Sequence, residues 1–149
     1  MPREVWDMRN RLRRRPSVRV GPVAHPGYRG GVRIPDETHP ITIEPTGHRV
    51  VVRVGDTVVA DSTAALTLDE ANHAPVQYFP FADVNQDVLR RSDHGSYCPF
   101  KGDASYYDLV VDGREIPNAV WVYEDPYDAM AQIKGHVAFY THNVSFESE

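Results

Sequence analysis

The sequence predicts a mainly β domain with antiparallel pairing, two short helices and an extended N-terminal arm. Three observations predict it. Valine-rich runs of five or six residues flank Gly55-Asp56, and apolar runs flank Asp112-Gly113. Both dipeptides are two-residue hairpin signals. Prolines crowd the first forty residues, at positions 2, 16, 22, 26, 35 and 40. Only two stretches, opening at Asp83 and Asp125, carry helix-start chemistry. A chain of 149 residues most simply makes one folded domain.

Residues 1–40 lack a sustained hydrophobic period and read as an arm, with one helical turn near Trp6–Arg14. The domain is expected to span 41–149. Arg49–Val54 and Thr57–Ser62 read as the first hairpin, with Val50, Val52 and Val54 on one strand face. Ala65–Asp69 alternates as a third strand, and Val76–Phe79 is a short aromatic strand stopped by Pro80. Asp83 reads as the cap of a helix to Arg91, with Gln86 completing a capping box and two arginines at the negative end of the dipole. Ser105–Val111 and Arg114–Ile116 flank the second hairpin turn, and Ala119–Tyr123 continues as a strand. Asp125 is expected to cap a second helix, with Pro126 at its first position and Gly135 past its end. Val137–Tyr140 and Val144–Phe146 close the chain as strands. Eight to ten short strands suit a closed or half-closed barrel or a two-sheet sandwich, and the hairpins do not separate these.

Charge is unevenly placed. Residues 1–33 carry nine arginines against Glu4 and Asp7, a local charge of +7, so the remainder holds −12 of the net −5. A basic arm can grip phosphate backbones, but this one has little aromatic support for base stacking. The favoured expectation is a solvated or intersubunit arm, through which a homodimer could assemble, rather than a nucleic-acid grip. The chain has no apolar run of membrane-spanning length and no secretory block among its first twenty residues. A cytoplasmic, reducing compartment is the default. One cysteine excludes an internal disulfide framework and a four-cysteine zinc site.

Chemistry concentrates in Asp93–Tyr107, which holds the only cysteine and one of only two lysines. Cys98 is a candidate nucleophile, with His94 as its base and Lys101 steadying negative charge. The alternative for Cys98 is a small buried core residue. Gly102 after Lys101 would let backbone approach an anion closely. Histidine spacing of the metal-binding kind is lacking, so neither a metal nor a cofactor is expected. Tyr78, Phe79, Tyr106, Tyr107, Trp121, Tyr123 and Tyr140 sit mostly on predicted strands, where core packing is the plain role. The polar tips of Tyr78, Tyr106, Trp121 and Tyr123 also suit a pocket wall, and Trp121 and Tyr123 share a face.

Several segments together resemble a known family. They are Val58-Val59-Ala60-Asp61-Ser62, Gln77-Tyr78-Phe79-Pro80 with Asp83-Val84, and Ser92-Asp93-His94 followed by Cys98-Pro99-Phe100-Lys101-Gly102-Asp103-Ala104-Ser105-Tyr106. Trp121-Val122-Tyr123 with Asp125-Pro126 and Ile133-Lys134-Gly135-His136-Val137-Ala138-Phe139-Tyr140 come next. Over about residues 48–146 the chain resembles the bacterial and fungal family called domain of unknown function 427, sometimes labelled nucleotidyltransferase-like. The resemblance implies a compact β-rich domain of the tent-like type and no demonstrated reaction. Neither a Gly-Ser signature with spaced aspartates nor a glycine-rich loop with a basic residue is present. Zinc held by two Cys-x-x-Cys pairs, as in other tent-like domains, is excluded by the single cysteine.

These readings converge on a small-molecule-binding β-domain. Its expected pocket draws on Tyr78, Asp83, Gly102, Tyr106, Trp121 and Tyr123, with His94, Cys98 and Lys101 as polar contacts and an anionic or nucleotide-like ligand. The rivals are a thiol-dependent or nucleotidyltransferase-like enzyme and an interaction protein that assembles through its arm.

Overall fold

The computed structural model describes residues 32–148. The helical turn at Trp6–Arg14 and the basic arm to residue 31 lie outside the described residues. A compact unit spans Ile34–Glu149. Residues 34–40, expected in the arm, belong to this unit, where His39 stacks on Phe100 with ring centroids 4.1 Å apart.

Ten strands form among the described residues. In chain order they are β1 (Ile41–Pro45), β2 (Val50–Val54), β3 (Thr57–Ser62), β4 (Leu66–Glu70), β5 (Val76–Pro80), β6 (Leu89–Cys98), β7 (Gly102–Val111), β8 (Arg114–Val122), β9 (His136–Phe139) and β10 (Ser145–Ser148). All the strand pairs are antiparallel. They make two open sheets, one of seven strands in the order β1-β4-β5-β9-β8-β7-β6 and one of three in the order β10-β2-β3. No closed barrel forms, and the open sheets fit a tent-like arrangement.

Both hairpins form where turn chemistry put them. Gly55 and Gly113 have φ of +59° and +81°, a region glycine enters without strain. Period-two alternation then divides the large sheet into two faces. Phe79, Leu109, Val111, Val120, Val122, Val137 and Phe139 point to the small sheet and meet Val50, Val52, Val54 and Val59 in the main core. The opposite face carries Leu68, Tyr78, Ala104, Tyr106, Tyr123 and Ala138, with Met130 and Ile133 from a 3₁₀ segment.

Two helix expectations are corrected. Asp83–Arg91 is not a helix. Short 3₁₀ turns at Phe81–Asp83 and Gln86–Val88 lead directly into β6. Asp83 does not cap, because its carboxylate accepts the Ser62 hydroxyl at 2.6 Å, and Gln86 donates instead to the Phe81 carbonyl. Arg90 pairs with Asp108 and Glu115, and Arg91 takes Glu124 in a two-pronged contact at 2.9 Å, so strand pairing overrides the local capping signal. The second helix is a 3₁₀ segment over Asp128–Ile133, bent at Met130, and begins three residues after Asp125. Gly135 does follow its end in a left-handed conformation, with φ +70°. The strands expected at Arg114–Ile116 and Ala119–Tyr123 are one strand, β8, with an irregularity where Asn118 takes φ +53°. Among the described residues, no helix is long and apolar enough to cross a membrane.

Candidate functional site

The face of the large sheet turned away from the main core carries a cavity of about 200 Å³. Strand parity builds it. Leu68 and Glu70 project from β4, Val76 and Tyr78 from β5, and Tyr106 from β7. Trp121 lies on β8 and Tyr123 two residues on, while Tyr140 follows β9. His73 and Ala74, both exposed, form a rim from the β4–β5 turn, and Lys101 enters from the β6–β7 turn.

Ala138 explains how rings from separated strands meet. It pairs with Trp121, and its neighbour Val137 pairs with Phe79. A fully buried methyl on β9 therefore lies between Tyr78 on β5 and Trp121 on β8. The two larger side chains close over it, with the Trp121 indole N–H donating to the Tyr78 hydroxyl at 3.2 Å. Tyr106 shares a hydrogen bond with Ser96 at 2.9 Å, and Tyr140 lies 4.6 Å from Trp121 between ring centroids.

Lys101 is 6% exposed, one of the few buried polar residues. A tight turn holds it: its N–H donates to the Cys98 carbonyl, and its own carbonyl accepts from Tyr127. Gly102 completes the turn at φ +106°, beside the Asp125 carbonyl. The Lys101 ammonium donates to Glu70 Oε1 at 2.5 Å, and His39 Nε2 meets Glu70 Oε2 at 2.8 Å. Burial pushes the Glu70 carboxyl up, but the Lys101 and His39 hydrogen bonds outweigh it, leaving the group below its ordinary value. Burial drives the Tyr78 and Tyr123 phenols well above their ordinary range, with nearby negative groups adding to the rise, so both stay protonated. The Tyr140 phenol is pushed up to about 12 by burial and by Tyr106.

The residues singled out from the sequence divide. Tyr78, Tyr106, Trp121, Tyr123 and Lys101 share the cavity wall. Gly102 shapes the Lys101 turn without lining it. Asp83 is held by Ser62, outside the lining. Cys98 is half-buried and outside the lining, its sulfur 4.0 Å from the Lys101 ammonium. His94 is exposed and packs on the Tyr106 ring at 4.5 Å. Four residues at ~3.3 Å per step separate His94 from Cys98 by about 13 Å along β6. A base needs roughly 3 Å, so this pair does not form a thiol–imidazole unit. Among the described residues, no group of three or more His, Cys, Asp or Glu side chains could hold a metal ion.

Sequence reasoning missed Glu70 and His73, and left Tyr140 among the aromatics read mainly as core without committing it to the wall. Parity could have found two of them: Leu66, Leu68 and Glu70 fall on one face of β4, as Ala138 and Tyr140 do at the end of β9. A carboxylate ending an otherwise apolar face is the available signal.

No curated protein matches the chain. A family model described as a domain of unknown function (DUF427), whose short label refers to nucleotidyltransferases, matches residues 42–149. That range contains every lining residue of the cavity and all but the first residue of the strand framework, and the chain belongs to the DUF427 family.

Proposed function

We propose that this domain binds a small organic molecule in the aromatic-walled cavity. The observation that carries the reading is a hollow in which five aromatic side chains from four parts of the sheet meet a buried lysine–carboxylate pair. Apolar walls with a few fixed polar groups are the usual composition of ligand sites. At ~30 Å³ per water, the volume equals about seven waters, which suits one substituted ring rather than a whole nucleotide. The Lys101 ammonium, expected to draw an anion, already has Glu70 as its counter-charge, so the polar wall supports orientation more than charge attraction.

Binding is favoured over thiol catalysis because His94, the base expected for Cys98, lies about 13 Å away along β6 and Cys98 is not among the residues lining the cavity. A fragment screen followed by amide and methyl NMR tests the reading. Shifts should cluster at Leu68, Ala74 and Val76. A screen in which no fragment perturbs this group overturns it.

A further inference from the structure

The wall of the cavity is charge-balanced but not hydrogen-bond-balanced. Glu70 spends one carboxylate oxygen on Lys101 and the other on His39. The ammonium and the carboxylate therefore neutralise each other inside the wall. An added anion would meet no unmatched lysine or arginine among the lining residues, only the exposed His73 at the rim, and an added cation would face the Lys101 ammonium. Either would give up part of its hydration against mostly apolar walls without a matching charge in return.

The hydrogen-bond inventory points the other way. The Tyr106 hydroxyl has Ser96, and the Trp121 N–H has Tyr78. The Tyr78 oxygen accepts that bond, which leaves its proton without an acceptor among the described residues. The Tyr123 hydroxyl has no hydrogen-bond partner among the described residues, although the residue is only 8% exposed and lines the cavity. Buried hydroxyls are nearly always bonded. Both phenols remain donors at any physiological pH. The cavity thus presents donors in search of an acceptor, between aromatic walls.

We propose that the occupant is an uncharged planar carbonyl compound of one-ring size, its oxygen accepting from the Tyr123 hydroxyl and its ring lying among Tyr78, Trp121 and Tyr140. This rests on the reading that the cavity binds a small molecule, and it names the chemical class.

Four probes with one ring and different substituents test it on the full chain: benzamide, benzoate, benzylamine and toluene. Affinities are measured by NMR titration of the Leu68, Ala74 and Val76 methyls, which line the cavity. Benzamide is expected to bind at least tenfold tighter than any of the others. Tyr123→Phe, which keeps the ring and removes one oxygen, should weaken benzamide about tenfold and leave toluene unchanged. Melting of the variant establishes that it is folded, and Tyr78→Phe serves as a second variant should Tyr123→Phe not fold. Tightest binding of benzoate or benzylamine at these methyls overturns the uncharged class while the cavity reading survives. Equal benzamide binding by wild type and both folded phenylalanine variants overturns the role of the phenols. Failure of all four probes to shift any cavity methyl overturns both the class and the cavity reading.

Discussion

Replacing Lys101 by methionine removes an ammonium from a wall where it is 6% exposed and leaves a shape of similar length. The cost arises mainly in its partner. Glu70, whose side chain is 14% exposed, keeps His39 but loses its only cationic lysine contact. Breaking a buried pair typically costs 3–5 kcal/mol, and the retained His39 bond and residual exposure place this one near about 3 kcal/mol at pH 7. For a unit of this size that lowers Tm by roughly 10 °C. The pH dependence is more diagnostic than the magnitude. In the native protein, burial raises the Glu70 pKa while Lys101 and His39 lower it further than burial raises it. The pair therefore contributes stability above the ordinary carboxylate value of 4.5, and that stability is lost as pH falls through the depressed value. In Lys101→Met the Lys101 hydrogen bond and charge are gone and only His39 and His73 still oppose burial, so the Glu70 carboxyl moves up from its wild-type position and its charged form is less well held at neutral pH. The gap between wild type and variant should be widest near pH 7 and narrow steadily towards pH 4, as Glu70 becomes neutral in the variant. Urea melts at half-unit pH intervals measure the gap. A gap constant across that range, or below about 1 kcal/mol at pH 7, would refute the claim that Glu70 is ionised through Lys101.

Three other perturbations examine different links. Gly102→Ala forces a side chain onto a backbone at φ +106°, beside the Asp125 carbonyl; it should cost about 1–3 kcal/mol and weaken probe binding by displacing Lys101, as urea melts and titration will show. Phe79→Ala empties a fully buried site packed on Phe139 and Phe146, and should lose about 3–5 kcal/mol in chemical denaturation. His94→Ala should leave the iodoacetamide alkylation rate of Cys98 at pH 7.5 within about twofold of wild type, because a base about 13 Å along the strand cannot activate the thiol. A tenfold drop in that rate would restore the imidazole to the chemistry.

The strand framework was legible because it is local. Gly55-Asp56 and Asp112-Gly113 specify their turns within four residues, and period-two alternation sets which side chains share a face. The same parity let Trp121 and Tyr123 be placed together in advance, and Tyr78, Tyr106 and Lys101 stood out by chemical type. The helices failed for the opposite reason. Asp83 carries a correct capping signal, but Ser62, twenty-one residues earlier, claims its carboxylate, and β7 claims the segment from Leu89 as a strand.

Amino-acid order alone determined the antiparallel β character, both tight turns and the aromatic residues available for a wall. Tertiary structure decided what that wall does. It brought β4 beside β5, β5 beside β9 and β9 beside β8, so that Glu70 met Lys101 across thirty-one positions and Tyr140 joined Trp121. It also separated His94 from Cys98, which are near in sequence but held apart by an extended strand. Strand pairing over long separations depends on the free energy of the whole sheet, and no single segment encodes it.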